Sequence, residues 1–359
     1  MLSFAMADHP QAHRGAPSNP DGRFERHCRE EVDDGWWRDD DLPPLKTTLE
    51  PDRARSVITR NQSPDIPFDR SINPYRGCEH GCIYCYARPT HAYLGLSPGL
   101  DFETRLFAKP EAGALLDQEL RHPGYRCQPI AIGTNTDPYQ PVERQAAIMR
   151  AILTVLAAFA HPVTITTKSA LILRDRDILT DLARRRLVSV TVSITTLDRD
   201  LARRLEPRAA VPAARLATLQ ALAEAGIPVA VNVAPVIPGL TDPELETILE
   251  AAVKHGATAA SWLLLRLPYE VGDLFTDWLA LHAPHRRDRV LSLLRQCRGG
   301  RLNDPRFGHR FAAQGPFAAM LRDRFRIASR KLGLADRPIL RTDLFRLPPR
   351  PGDQLSLFG

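Results

Sequence analysis

The chain has 359 residues, 43% of them hydrophobic, which is enough apolar material for one large core with an appendage. Six cysteines are too few for the disulfide framework of a small secreted protein. The first residues lack a basic segment and a sustained apolar run, and the most apolar helical stretch, near residues 151–160, is too short to span a bilayer. We therefore expect a cytoplasmic protein.

The net charge of +6 is unevenly distributed along the chain. Residues 281–359 contain 17 Lys and Arg against six Asp, whereas the remaining residues contain 31 basic against 36 acidic side chains. Only Lys331 of the 17 is not arginine, and the planar guanidinium of arginine suits phosphates and stacked bases. Charge alone leaves two interpretations equally open, a nucleic-acid surface and an ordinary solvated helical surface.

We expect four regions along the chain. Residues 1–50 are rich in Asp, Arg, Pro and His, and we predict a mostly disordered N-terminal arm. Residues 51–280 are predicted to form the main domain, 281–347 an arginine-rich helical extension, and 348–359 an extended tail.

From about residue 70, short β-rich runs alternate with longer helical patterns, which is typical of βα units and a parallel sheet. The predicted strands are 71–75, 129–133, 162–167, 188–195, 228–236 and 259–267. The predicted helices are 145–159, 177–186, 213–225, 281–295 and 316–332. This order predicts an α/β fold, a partial (β/α)₆ TIM-type barrel.

Three cysteines stand close together in Cys78-Glu79-His80-Gly81-Cys82-Ile83-Tyr84-Cys85. Three thiolates at this spacing can bind one cubane iron–sulfur cluster from a single loop and leave the fourth iron without a protein ligand. The alternative is structural zinc, with His80 or His91 as the fourth ligand. Zinc sites usually have a second cysteine pair, which this sequence lacks.

The cysteine spacing, with Tyr84 before the third cysteine, resembles the cluster motif of the radical S-adenosylmethionine (SAM) enzymes. The wider run from Asn73 to Arg88 resembles their spore-photoproduct-lyase-related branch, the "DNA repair photolyase" group. This resemblance covers about residues 60–270 and implies the partial barrel, SAM as cofactor, and a flavodoxin- or ferredoxin-type reductant. It also implies a [4Fe–4S] cluster bound by three metal-ligating, catalytic residues, Cys78, Cys82 and Cys85.

In parallel barrels, functional groups collect at the C-terminal ends of the strands, and here those ends carry small and polar residues. The resemblance implies that SAM is contacted at its amine by Thr136 and Asp137, at its carboxylate by Lys168 and Ser193, and at its adenine by Tyr84 and Val236. Taken alone, Lys168 is equally typical of a surface lysine, and Asp137, which precedes a proline, is equally typical of a turn. Glu206-Pro207-Arg208 is predicted to contact ribose or substrate, or to form a structural salt bridge.

The sequence departs from the photoproduct lyases at one point. Their loop after the second strand begins with a cysteine that returns a hydrogen atom to the substrate radical, whereas this loop begins Gly133-Thr134. Cys127 lies six residues before Gly133, and we expect Cys28, Cys127 and Cys297 to be small hydrophobic residues. Direct reversal of spore photoproduct is therefore not expected, although another radical reaction is.

We accordingly predict a radical SAM enzyme, of lyase or modification type. It would cleave SAM reductively to a 5′-deoxyadenosyl radical and act on nucleic acid, in DNA repair or modification. One alternative is radical SAM modification of RNA or protein. The other is a non-catalytic, zinc-stabilised nucleic-acid-binding module.

The C-terminal tail contains a second motif, Gln354-Leu355-Ser356-Leu357-Phe358. It resembles the pentapeptide by which bacterial DNA polymerases and repair factors dock on the replication sliding clamp. The preceding prolines favour an extended approach, and Leu357 and Phe358 would be the anchors of such a peptide. In the alternative, the apolar residues fold back onto the barrel.

Overall fold

The computed structural model describes residues 14–25 and 45–349 of the chain. The strands are β1 Thr48–Pro51, β2 Ile58–Arg60, β3 Arg70–Ile72, β4 Tyr75–Arg76, β5 Arg105–Ala108, β6 Ile130–Ile132, β7 Val163–Thr167, β8 Val188–Ile194, β9 Val229–Val236 and β10 Ala259–Leu264. The α-helices are α1 Asp101–Thr104, α2 Ala112–Leu120, α3 Glu143–Ala146, α4 Ile148–Ala158, α5 Arg176–Arg184, α6 Arg199–Leu205, α7 Pro212–Glu224, α8 Leu245–Lys254, α9 Val271–His282, α10 Arg287–Gln296 and α11 Gly315–Lys331. Short 3₁₀ helices are formed by Arg88–Leu94, Ala170–Asp175, Asp242–Glu244 and Pro284–Arg286.

A seven-stranded sheet, in the order β10-β9-β8-β7-β6-β3-β2, forms the centre of the molecule. Every neighbouring pair from β3 to β10 is parallel, and β2 pairs antiparallel with β3 at the edge. All seven residues of the central strand β8 are buried, as expected for a parallel strand covered on both faces. The predicted α/β partial barrel with six parallel strands is confirmed.

A small second sheet supports the loop that follows β4. Its order is β1-β5-β4, with β1 parallel and β4 antiparallel to β5. Because β4 follows β3 after only two residues, the chain leaves the first barrel strand, crosses this sheet and enters the cysteine-containing loop.

Parts of the N-terminal arm differ from the sequence prediction. Ala16 is buried, and the amides of Gly15 and Ala16 donate hydrogen bonds to the Glu103 carboxylate at 2.9 and 2.8 Å. Thr48 begins a strand that pairs with β5. A mostly disordered arm therefore does not describe residues 14–25 and 45–50, while residues 1–13 and 26–44 lie outside the described residues.

Two predicted helices are interrupted. The helix expected over 145–159 is divided into α3 and α4 at Ala147, whose φ is +51°. The helix expected over 281–295 is divided by Ala283 and the 3₁₀ turn Pro284–Arg286. A proline lacks the amide hydrogen that a continuing helix needs, which accounts for the second interruption only.

The C-terminal extension packs against the barrel. Arg324 on α11 forms a bidentate ion pair with Glu246 on α8, at 2.7 and 2.6 Å. Phe345 stacks against Phe159, with ring centroids 6.1 Å apart. No helix in the described parts of the chain is long and apolar enough to cross a membrane.

Candidate functional site

The cysteine loop requires glycine at two positions. Gly77 and Gly81 have φ values of +76° and +66°, in the left-handed region that favours glycine. A Cβ at Gly77 would lie 2.6 Å from Leu106 Cδ2, and one at Gly81 would lie 2.6 Å from Glu103 Oε2. Conformation and crowding together therefore exclude larger residues on both sides of Cys78.

Arg88 anchors this loop from within the protein. Its side chain is completely buried and donates to the carbonyl oxygens of Cys82, Gly81 and Gly99, each at 2.9 Å. It also forms a buried ion pair with Glu103, whose carboxylate accepts hydrogen bonds from the amides of Gly15 and Ala16. A buried arginine with carbonyl and carboxylate acceptors fixes the path of the backbone around it. Arg88 and Glu103 were not among the predicted site residues, because no sequence pattern links them.

The three thiols lie in a buried environment. Burial raises the pKa of Cys78, Cys82 and Cys85, and negative charge on the other two thiols raises that of Cys78 further. The three groups are therefore close enough to interact electrostatically. Bound iron would stabilise the thiolates that burial disfavours, so this donor set fits an iron–sulfur cluster.

A mononuclear zinc site fits the geometry less well. His80 Nδ1 lies 3.4 Å from Asp137 Oδ2, and His91 Nε2 lies 2.9 Å from the carbonyl oxygen of Arg105. Within residues 14–25 and 45–349, no three His, Cys, Asp or Glu side chains converge on a single ion. A cubane cluster does not require this convergence, because each thiolate binds a different iron.

Thr136 and Asp137 follow β6 and shape the wall beside the cysteine loop. Thr136 Oγ1 donates to the carbonyl oxygen of Tyr75 at 2.9 Å. The Asp137 carboxylate, whose side chain is 9% exposed, accepts from Thr167 Oγ1 and the Lys168 amide, both at 2.7 Å. This carboxylate therefore ties the ends of β6 and β7 together.

Lys168 and Glu206 form the centre of a buried polar network. Lys168 Nζ lies 3.1 Å from Glu206 Oε1, 3.2 Å from Thr195 Oγ1 and 3.1 Å from the carbonyl oxygen of Ala234. Since an ammonium has three N–H donors, all three have acceptors within the protein. The second Glu206 oxygen accepts from Arg215, which is also buried.

Electrostatics keep Glu206 ionised. Burial alone would raise the pKa of this carboxyl, but the charges of Arg215 and Lys168 outweigh that effect and hold its pKa well below the usual range. Glu206 directly follows α6, which begins after Asp198, whose carboxylate accepts from the amides of Asp200 and Leu201 at 2.8 and 3.0 Å. The capped helix therefore positions Glu206 at the end of the barrel.

The structure brings the remaining predicted residues to the same end. The Tyr84 hydroxyl donates to Glu206 and lies 3.1 Å from Thr195 Oγ1, while Lys168 Nζ lies 5.7 Å from the Tyr84 ring centroid. Ser193 is buried near the end of β8, and Val236 is buried as the last residue of β9. Of the six residues predicted to contact SAM, five therefore lie at the ends of β6 to β9, and Tyr84 belongs to the cysteine loop.

The other cysteines lie elsewhere. Cys127 precedes β6, so it lies at the end of that strand opposite Gly133, and burial raises its pKa to about 11. Cys297 is buried in the C-terminal extension, and Cys28 falls outside the described residues. The expectation that Cys127 does not replace the missing loop cysteine agrees with this placement.

Comparisons with known proteins identify relatives of this arrangement. The model of the family described as "Radical SAM superfamily" matches residues 72–252. The uncharacterized protein Rv2578c of Mycobacterium tuberculosis is 41% identical over 233 residues, covering 64% of this chain and 68% of that protein. The uncharacterized protein MJ0683 of Methanocaldococcus jannaschii is 28% identical over 192 residues, covering 54% and 69% respectively.

Solved structures of spore photoproduct lyase are similar in fold. One mutant matches with a TM-score of 0.57 and 15% identity, covering 79% of this chain and 78% of that chain. A second mutant, with bound AdoMet and dinucleoside spore photoproduct, matches with a TM-score of 0.57 and 14% identity over the same shares. At this identity the similarity describes the architecture of the barrel and leaves the substrate of this chain open.

Proposed function

Because the chain belongs to the radical SAM superfamily, whose cofactors are a [4Fe–4S] cluster and SAM, we propose that it generates a radical from SAM and uses it on a nucleic acid. Cys78, Cys82 and Cys85 hold the cluster in this proposal. The observation that carries it is the convergence of the cysteine loop with Lys168 and Glu206 at the strand ends of the barrel.

Cys78, Cys82 and Cys85 would hold the cluster, which would supply the electron for reductive cleavage of SAM to a 5′-deoxyadenosyl radical. The residues of the chain bind and orient SAM and exclude water from this step. Arg88 and Glu103 hold the cysteine loop in a fixed path. Val236 and Tyr84, both buried, are proposed to flank the adenine.

Lys168 is the proposed partner of the SAM carboxylate. Since its three N–H donors already have acceptors within the protein, Lys168 must give up at least one of these contacts to bind the SAM carboxylate. Glu206 also accepts from Arg215, Tyr84 and Thr195, so its charge stays compensated if Lys168 turns toward SAM. Thr136 and Asp137 are proposed to meet the amine, and Ser193 to assist at the carboxylate.

The nucleic-acid substrate is supported by the charge of the chain. Residues 281–359 contain 17 basic and only six acidic side chains, and the described part of this segment packs against the barrel. Positive charge on a segment that packs against the barrel favours a polyanionic substrate. A flavodoxin- or ferredoxin-type reductant and a cytoplasmic location complete the proposal.

Anaerobic reconstitution tests the cofactor assignment. We expect a brown protein with broad absorption near 400 nm that releases 5′-deoxyadenosine from SAM after dithionite is added. Cys82→Ser should abolish iron loading and SAM cleavage, whereas Cys127→Ser and Cys297→Ser should retain both. A colourless protein with stoichiometric zinc would contradict the assignment and support the non-catalytic module.

The substrate class is tested in cells. Nucleosides of DNA and RNA from cells with and without the protein should differ by at least one modified or damaged species in mass spectrometry. Identical nucleosides in both strains would contradict a nucleic-acid substrate and favour a protein substrate.

A further inference from the structure

Five side chains alternate between ring and cation from the cysteine loop to the C-terminal extension. The guanidinium of Arg266 lies 4.4 Å from the ring centroid of Tyr86 and 5.2 Å from that of Phe311. The guanidinium of Arg310 lies 5.1 Å from the Phe311 centroid and 5.0 Å from that of Phe307. We call Tyr86, Arg266, Phe311, Arg310 and Phe307 the aromatic–arginine row.

Both ends of this row are accessible. Tyr86 directly follows the third cysteine of the loop and is 41% exposed, and Phe307 is 64% exposed. Exposed aromatic faces beside guanidinium groups offer the surface on which unpaired bases stack.

A basic cavity opens in the same extension. Its volume is about 260 Å³, below the range of roughly 300–1,000 Å³ typical of sites for drug-sized ligands, so it suits a phosphate-sized group better than a whole cofactor. We call it the extension cavity. Its lining includes Arg298, Arg301, Asp304 and Arg306.

Positive charge exceeds negative charge around the extension cavity. Among the described residues of its lining, Asp304 is the only acidic one, and it forms an ion pair with Arg306 at 2.6 Å. The guanidinium of Arg301 makes no hydrogen bond or ion pair with the residues that the structure describes. An anion in the cavity would therefore meet a cation that has no competing carboxylate.

Arg298 adds a second cation to the cavity wall. It is 4% exposed, and it donates to the main-chain carbonyls of Leu265 at 2.9 Å, Leu264 at 3.0 Å and Arg310 at 3.1 Å. These three hydrogen bonds leave two of the five N–H donors of Arg298 for a ligand. Burial, followed by the charge of Arg266, lowers the pKa of Arg298 to about 10. A buried cation with only neutral acceptors is costly, and a bound anion would offset that cost.

Arg298 also connects the cavity to the row. The carbonyls that it binds belong to Leu264 and Leu265, just before Arg266, and to Arg310. Arg298, in the wall of the extension cavity, therefore binds the backbone at or next to Arg266 and Arg310, the two cations of the aromatic–arginine row. A strand with a phosphate in the cavity would have its neighbouring bases beside the row.

We propose that the extension cavity binds a backbone phosphate of a nucleic-acid strand and that adjoining unpaired nucleotides stack along the aromatic–arginine row toward the cysteine loop. The proposal rests on the proposed function for the strand being the substrate. Its chemistry, a phosphate held by Arg298 and Arg301, would also suit free phosphate, and the experiment separates the two.

Binding of a fluorescent single-stranded 12-nucleotide DNA to the full-length protein tests the proposal. We expect Arg301→Gln to weaken binding about tenfold, as for a lost charge-assisted hydrogen bond, and to reduce the salt dependence by about one phosphate contact. Arg295→Gln is the matched control, because Arg295 is exposed on α10 of the same extension outside the cavity lining, and it should change affinity less than twofold. Phe307→Ala should weaken binding about fivefold or more through lost stacking.

Three outcomes would overturn this proposal. Equal affinities of Arg301→Gln and Arg295→Gln would exclude the cavity as a strand-binding site. Unchanged affinity in Phe307→Ala would exclude stacking along the row. Inorganic phosphate that binds with Arg301 dependence, while DNA affinity has none, would identify free phosphate as the ligand.

Release of 5′-deoxyadenosine is measured on the same samples. Arg301→Gln should retain it, because Arg301 lies outside the cluster and SAM site. Loss of DNA binding with SAM cleavage intact supports the cavity, whereas a wild-type protein that binds DNA but never cleaves SAM overturns the proposed function alone.

Discussion

The ammonium nitrogen of Lys168 lies 3.1 Å from a carboxylate oxygen of Glu206, and this ion pair joins the end of β7 to the turn between α6 and α7. Lys168→Met removes the charge but keeps most of the apolar stem. We expect SAM affinity to fall about tenfold to a hundredfold, since a charge-assisted hydrogen bond contributes about 1.5–3 kcal/mol. Titration of the reconstituted protein with SAM measures this.

Iron content should be unchanged in Lys168→Met, because all three proposed cluster ligands, Cys78, Cys82 and Cys85, are still present. Lys254→Met, at the exposed end of α8, is the matched control. Equal SAM affinities of both variants would remove Lys168 from the SAM site and leave it as a structural partner of Glu206.

Glu206→Gln should destabilise the protein. The substitution leaves Arg215 buried without its carboxylate, and loss of one partner of a buried ion pair costs about 3–5 kcal/mol. Urea unfolding of the apoprotein measures the change. Glu224→Gln is the control, since Glu224 is exposed on α7, and its stability should stay near that of the wild type. A Glu206→Gln protein of wild-type stability would show that the network is not energetically coupled.

His161 should make stability depend on pH. It is buried, with Nε2 2.7 Å from the Tyr125 hydroxyl, and burial lowers its pKa to about 4 from the ordinary 6.5. The unfolded chain therefore binds a proton at a higher pH than the folded protein. The stability contributed by neutral His161 is complete above about pH 6.5 and is lost as the pH falls toward 4.

The measurement compares unfolding free energies at pH 7.5 and pH 5. The wild type should lose about 2 kcal/mol more than His161→Gln over this interval. His122→Gln, which changes an exposed histidine, should behave like the wild type. Parallel pH profiles of the wild type and His161→Gln would contradict the depressed pKa.

The clamp motif lies outside the described residues, so its docking remains a prediction from the sequence. A peptide of residues 345–359 should bind the replication sliding clamp with micromolar affinity, because Leu357 and Phe358 can fill an apolar pocket. The double variant Leu357→Ala/Phe358→Ala should lose this binding while SAM cleavage is retained. Absence of peptide binding, with unfolding of the double variant, would instead identify the tail as part of the core.

The barrel was predictable from local patterns. All six parallel strands lie within the predicted ranges or begin one residue before them. Strands and helices could be located because each segment carries its own pattern of apolar residues, independent of its distant contacts. The ends of β6 to β9 also carry the predicted polar residues, since the parallel topology fixes which strand ends meet.

The contacts between those residues were not predictable. Glu206 contacts Lys168 because helix α6 positions it there. Arg88 contacts Glu103 because the fold of the cysteine loop brings the two side chains together. Such pairs have no fixed spacing in sequence. The interruption at Ala147 has no glycine or proline to indicate it, and composition alone could not distinguish the packed Ala16 from the rest of the N-terminal arm.

The packing of Gly15 and Ala16 against Glu103 has a practical consequence for preparing the enzyme. A protein trimmed to the barrel, beginning at residue 51, would lack both amide donors of this buried carboxylate. A Cβ at Gly15 would lie 1.7 Å from the carbonyl oxygen of Gly81, so even a single substitution there disturbs the cysteine loop. Poor cofactor loading of a shortened chain would therefore reflect the loss of these two hydrogen bonds, and catalytic competence should be judged on a chain that retains residues 14–25.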